Sequence, residues 1–187
     1  MATVATPMTT EEMLALPENG MERWLIAGEL RERPMTVRNR FHSRVMIRVG
    51  KFLDNWLDEQ PSPRGQVLGG EAGVRLSHDP ETTVGIDVVY VSAEVVIRQT
   101  GETSLIDGVP TLAVEILSPN DTVEEIHEKM TTYRLAGVPL VWLLNPYYHT
   151  VTVHRLDAEP ELFNIHQELS AEPHLPGFRV PVAQLFE

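Results

Sequence analysis

The sequence predicts a mixed α/β fold, and three observations predict it. Between residues 38 and 145 the apolar residues change period in the order helix, three strands, helix, strand. The strand-like runs are rich in Val, Ile and Leu and are bounded by Gly, Pro and Asp. At 187 residues, 42% of them apolar, the chain is long enough to close one core without covalent staples. In such a layer arrangement the sheet must be covered on at least one face.

Each element has its own signal. Residues 1 to 8 are small, polar and proline-containing, so a loose tail is expected before a single domain over 9 to 187. Thr9 and Glu12 have capping-box spacing ahead of Met13 to Leu16, and Pro17 stops that short helix. Arg23 to Arg33 reads as a hairpin pivoting near Ala27 and Gly28. Phe41, Val45, Val49, Phe52 and Trp56 recur at spacings of 4, 4, 3 and 4, the apolar stripe of a helix from Arg38 to Glu59. Strands are expected at Gln66 to Leu76, Val84 to Val91 and Thr111 to Leu117, with a short helix or functional loop in the connection 92 to 110. Asn120 or Asp121 is placed to cap a second helix, in which Thr122 and Glu125 have capping-box spacing, and Gly137 to stop it. Pro139 to Leu144 reads as a buried strand, Thr150 to Leu156 with Glu161 to His166 as an antiparallel pair, and Val180 to Phe186 closes an irregular tail.

Composition excludes several kinds of chemistry. With no cysteine there is no disulfide framework, thiolate nucleophile or Cys-ligated zinc. No apolar run approaches the roughly 18 residues that span a bilayer. The N-terminus lacks the basic start and apolar core of a secretion signal, so a cytoplasmic protein with no membrane partner is expected. No glycine-rich phosphate loop, Gly-x-Ser-x-Gly or His-x-x-x-His occurs.

Fifteen basic residues stand against 27 acidic ones, a net of −12, which argues against coating nucleic acid through bulk charge. The distribution is uneven. Arg23 to Lys51 holds seven arginines and one lysine against Glu29 and Glu32, a local +6 that leaves −18 elsewhere. Arg40, Arg44, Arg48 and Lys51 share the helix period and form one row beside the buried stripe. Such a row either steers a polyanion or is an ordinary solvated face.

Two carboxylates interrupt strands otherwise chosen for burial: Asp87 within Val84 to Val91, and Glu115 within Leu112 to Leu117. An ionised carboxylate taken out of water finds a partner, binds a cation or becomes protonated. Thr111, Ala113 and Leu117 share Glu115's face, small enough neighbours to leave space beside it. Each acid alone could pair with a buried arginine. Two on consecutive strands can converge on a hard cation such as Mg²⁺, which takes only one or two protein carboxylates. Lys129 is one of two lysines against thirteen arginines. It lies at the edge of the second helix's apolar arc, where it either snorkels to solvent or reaches toward the strand of Glu115.

With these residues in hand, the chain resembles the PD-(D/E)xK nuclease superfamily, and more narrowly is similar to the Uma family of predicted restriction endonucleases. The matching stretches are Thr10 to Pro17, Gly28 to Glu32, Ile86 to Ser92, Pro110 to Asp121, Lys129 with Tyr133, Ala136 to Val138, and Leu175 to Phe178. The run Val114-Glu-Ile-Leu-Ser-Pro119 with its downstream Lys and Tyr is the most selective part.

The resemblance implies a restriction-endonuclease-like αβββαβ core with a mixed central sheet, an N-terminal hairpin and extra C-terminal strands. It also implies Asp87 and Glu115 as ligands of Mg²⁺ or Mn²⁺, with the Ile116 carbonyl as a third oxygen, and Lys129 as the catalytic lysine. Leu117 stands where the wider superfamily has that lysine, so the amine must come from the helix. Ile86, Leu140 and Asn145 also depart from the family's usual Pro, Glu and Asp. His42 and Glu29 occupy positions the family fills in the same way, either extending the site or sitting as satisfied polar groups at a packing edge.

The implied activity is metal-dependent hydrolysis of DNA phosphodiester bonds, with Arg40, Arg44, Arg48 and Lys51 on the backbone of the nucleic acid and a homodimer supplying one site per strand. The competing expectation is a nuclease fold whose chemistry has lapsed, serving as a nucleic-acid-binding or oligomerisation module.

Overall fold

The computed structural model describes residues 7–37, 39–101 and 104–187. The elements run α1 (Thr10–Leu14), β1 (Met21–Ile26), β2 (Glu29–Pro34), α2 (Arg40–Asp58), β3 (Gln66–His78), β4 (Glu81–Val91), α3 (Ala93–Arg98), β5 (Ile106–Asp107), β6 (Leu112–Ile116) and α4 (Val123–Ala136). They continue with β7 (Leu140–Asn145), β8 (Thr150–Arg155), β9 (Glu161–Phe163), β10 (Glu168–Ser170), β11 (Arg179–Pro181) and α5 (Val182–Leu185). The expected helix, three strands, helix, strand order is therefore present as α2, β3, β4, β6, α4 and β7. The connection before β6 carries the short helix α3 and the two-residue strand β5.

The large sheet is mixed, in the order β2-β1-β4-β6-β7-β8-β9, with β3 on β4 and β5 on β3. β3, β4 and β6 are antiparallel neighbours, whereas β6 and β7 are parallel, as the α4 crossover between them requires. The β1–β2 hairpin turns on Ala27 and Gly28, whose φ angles of 52° and 75° are the pair of left-handed residues that a tight two-residue turn needs. Met8 donates its amide to the Gly28 carbonyl at 2.8 Å, so the last residue of the expected tail is tied to this turn. Residues 1–6 of that tail lie outside the described residues.

Both faces of the sheet are covered. On one, Val45, Val49, Leu53 and Trp56 of α2 pack with Val88, Val114, Trp142 and the C-terminal segment. On the other, Tyr133 and Val138 pack with Ile86, Val89, Ala113 and Val141. Trp142 is fully buried, and its burial contributes on the order of 3 kcal/mol.

Several local expectations shift by a residue or two. The buried stripe of α2 is His42, Val45, Val49, Leu53 and Trp56, while Phe41 is 46% exposed and Phe52 only partly buried. The helix is rotated about one residue from the purely apolar stripe because a polar residue, His42, points inward. Phe41 instead meets the edge of Tyr147. Asn39 caps α2, its Oδ1 accepting from the amides of Phe41 and His42 at 3.0 Å each. The expected start at Arg38 lies outside the described residues. Thr122, rather than Asn120 or Asp121, caps α4: it closes a reciprocal capping box with Glu125, and Gly137 ends the helix at φ 80°. Strand β9 stops at Phe163, short of His166, and the closing tail contains the β10–β11 pair and α5.

Candidate active site

β4 and β6 pair antiparallel with Val88 against Val114, and the same register carried one residue on brings Asp87 alongside Glu115. Asp87 is 3% exposed and Glu115 5%. The two acids expected to converge are thus neighbours across one strand pair, in the interior.

Each acid is held by its own donors. Asp87 Oδ2 accepts from the Ile116 backbone amide at 2.8 Å, and Oδ1 lies 3.1 Å from Nε2 of His42 on α2. Glu115 Oε2 accepts from Lys129 Nζ at 2.7 Å, and Oε1 accepts from the Tyr133 hydroxyl. Lys129 and Tyr133 lie four apart on α4, one above the other, which is how a single helix delivers both to one carboxylate. The space expected beside Glu115 is therefore filled from α4. The small side chains on its own strand make room for a tyrosine ring and an amine.

The environment pushes the two carboxyls apart. At Asp87 burial acts upward, but the His42 hydrogen bond, the Ile116 amide and the Lys129 charge together hold the group below its ordinary value. At Glu115 burial dominates, Asp87's negative charge adds to it, and the group is raised despite Lys129. Burial opposes charge on Lys129, but the Glu115 carboxylate outweighs it and keeps the amine protonated well into the alkaline range. Tyr133, raised well above its usual value by burial and by Glu115, stays a neutral O–H donor. Lys129 is thus an ammonium, suited to charge stabilisation and orientation and not to proton abstraction.

His42 belongs to this cluster. It is 2% exposed, and its Nδ1 is buried with no hydrogen-bond partner among the described residues. The available signal was a histidine three residues before Val45, hence in line with the apolar stripe. Glu29, by contrast, is exposed and paired with Arg31 at 2.9 Å. The departures at Leu140 and Asn145 fall in structural roles. Leu140 is fully buried core, and Asn145 Oδ1 accepts from the amides of Tyr147 and Tyr148 in the β7–β8 turn, which an aspartate would do equally.

The basic row is divided. Arg44 Nε donates to the Glu187 carbonyl at 2.7 Å and Arg48 Nε to the Gln184 carbonyl at 2.8 Å, so these two bind the C-terminal segment to α2. Arg40, stacked 4.6 Å over Phe41, and Lys51 keep exposed side chains. In the hairpin, Arg23 pairs with Glu32, Arg31 with Glu29 and Glu128, and Arg33 with Glu22 and Asp121, so the hairpin arginines are matched by carboxylates on the spot, three of them from outside the basic segment.

Among the described residues no three His, Cys, Asp or Glu side chains gather as a metal-binding group. The two carboxylates are the side-chain oxygen donors on offer, and each carboxylate oxygen, having taken one protein donor, keeps a second lone pair. That donor set fits a hard divalent cation that retains most of its waters.

A family model described as "Putative restriction endonuclease" matches residues 10–183. The crystal structure of a putative nuclease belonging to DUF820 from Anabaena variabilis superposes with a TM-score of 0.77 at 20% identity, covering 96% of this chain and 98% of that one, and shows the same fold. No curated protein matches the chain. With the family model spanning nearly the whole sequence, the chain belongs to the Uma2 family.

Proposed function

We propose that this protein is a divalent-metal-dependent endonuclease that hydrolyses phosphodiester bonds of DNA. The observation that carries the reading is the buried acid pair, Asp87 and Glu115, on adjacent strands with the Lys129 ammonium 2.7 Å from Glu115. Asp87, Glu115 and the Ile116 carbonyl would hold Mg²⁺, or Mn²⁺ in its place. When bound, such an ion lowers the pKa of a coordinated water and draws charge from a phosphate oxygen.

The residues of the chain do the rest. His42 and the Ile116 amide fix the plane of the Asp87 carboxylate, Tyr133 fixes that of Glu115, and Lys129 offsets charge that develops on the phosphoryl oxygens. Arg40 and Lys51 are the cations of the row left to contact the backbone of the nucleic acid. A homodimer would present two such sites, one for each strand.

A second reading has one observation in its favour: every carboxylate oxygen of the pair already has a protein donor, so the cluster is satisfied as it stands. A lapsed enzyme serving as a binding or oligomerisation module would keep such a cluster for stability alone. Cleavage of plasmid and oligonucleotide DNA in Mg²⁺ or Mn²⁺ separates the two. Wild type is expected to cut and Asp87→Ala to lose activity. If neither protein cuts and calorimetry detects no metal uptake, the enzymatic reading fails.

A further inference from the structure

Lys129 and Tyr133 have a second neighbour besides Glu115: a cavity of about 170 Å³ between the β1 strand, the β3–β4 pair and α4, lined also by Trp24, Ile26 and Arg33. Its presence traces to sequence. Gly73 and Gly85 face each other in the β3–β4 register and both line the cavity. A Cβ at Gly73 would overlap Leu105, and one at Gly85 would come within 2.9 Å of Glu71 Oε2. The two bare positions let Leu105 and Glu71 settle against backbone instead of being pushed into the space.

The size and the lining select the occupant. The cavity is smaller than the ~300 to 1,000 Å³ of sites that enclose whole small molecules, so it suits one planar fragment of something larger. Trp24 offers an aromatic wall, and Arg33 lies 5.6 Å over that ring. Lys129 brings a cation whose other contact is the Glu115 carboxylate, assigned above to the metal. A flat aromatic body joined to an anion at the edge of a hydrolytic centre is the chemistry of a nucleotide.

We infer that the cavity takes one unpaired nucleobase of the substrate strand, stacked against Trp24, with the adjoining phosphate beside Lys129. This rests on the nuclease reading above. A base that is already unpaired enters without the unstacking and unpairing cost of leaving a duplex, so strands with mismatched or single-stranded segments bind more tightly than fully paired DNA.

The test is binding in EDTA, where no cleavage occurs, of a single-stranded oligonucleotide carrying 2-aminopurine and of the same sequence as a perfect duplex, to wild type, Trp24→Ala and Trp24→Phe. The expected result is quenching of the 2-aminopurine on binding, about tenfold weaker affinity for Trp24→Ala, and near wild-type affinity for Trp24→Phe. Trp56 and Trp142 are 9% and 0% exposed, so a change in tryptophan emission of the wild type reports Trp24 even if Trp24→Ala does not fold. Equal affinity of a folded Trp24→Ala, no advantage of the single strand over the duplex, or no oligonucleotide binding at all would overturn the assignment. Cleavage is scored separately with Mg²⁺ or Mn²⁺. Binding that depends on Trp24 without any cleavage retires the nuclease reading alone, and cleavage without that dependence retires the cavity alone.

Discussion

Lys129 Nζ meets Glu115 Oε2 at 2.7 Å from a helix, fourteen residues further along the chain than the acid. The ammonium therefore approaches the acid pair from α4, together with Tyr133, and its charge competes with any cation that the two acids bind. Lys129→Met is expected to lower turnover by about 10²- to 10³-fold, the usual cost of removing a preorganised charge from a transition state. The same substitution should tighten Mn²⁺ binding at alkaline pH, because a competing positive charge leaves the site. Calorimetry and cleavage kinetics on one preparation check both signs, and a parallel loss of affinity and rate would contradict the electrostatic role.

On the proposed reading, His42 would act on metal binding through Asp87, whose carboxylate it contacts. With His42→Ala, Asp87 keeps the Ile116 amide but loses its second donor in a position that is 3% exposed. Metal affinity should fall about 10- to 100-fold, as when other supporting hydrogen bonds to ligands are removed. Stability should fall by about 1 to 3 kcal/mol from the unsatisfied buried group. His42→Gln, which can still donate to the carboxylate, should recover part of the metal affinity. Affinity unchanged in both variants would remove His42 from the site.

Much of this was legible in the sequence, for physical reasons that also mark where the reading stopped. Asp87 and Glu115 stood out because a charge inside an apolar strand is costly, and Lys129 because arginine is elsewhere the chain's preferred cation. His42 was harder to place, since a histidine counts as polar in a hydrophobic stripe and its inward direction depends on an aspartate 45 residues away. The crowding around Glu115 was likewise invisible from β6, where its neighbours are small, because Tyr133 arrives from α4. The division of the basic row could not be read at all: Arg44 and Arg48 bind main-chain carbonyls of Glu187 and Gln184, and carbonyls carry no sequence signal.

That division predicts different phenotypes along one helix face. Arg40→Ala and Lys51→Ala should weaken DNA binding evenly across sequences, each reducing the salt slope of log K by about 1, with little change in thermal midpoint. Arg48→Ala should instead cost about 1 to 2 kcal/mol of stability, since it removes a charged hydrogen bond and the stacking on Phe52 at 5.0 Å that help hold the C-terminal segment on α2. Binding titrations across salt concentrations, paired with denaturant unfolding, distinguish the two classes. Uniform behaviour of all three variants would show that the row acts as a single surface.

The opposed shifts of the two acids predict that metal binding and stability respond to acid in separate ranges. Glu115 is raised above its ordinary 4.5, so protons displace metal there first as pH falls. A raised carboxyl stabilises the fold at low pH and loses that contribution as pH rises through its folded value, so protonating Glu115 does not weaken the fold. Asp87 is lowered below 3.8, and its contribution, present above that value, disappears only as pH falls through its still lower folded value. As pH is lowered toward the ordinary carboxylate range, therefore, Mn²⁺ affinity measured by calorimetry should fall steeply while these two acids leave the thermal midpoint of the metal-free protein undiminished. To isolate them from the other carboxylates, the same scan is run on Asp87→Asn and Glu115→Gln. Glu115→Gln should abolish the steep part of the affinity curve, and a curve that persists unchanged in that variant would show that some other group governs the metal.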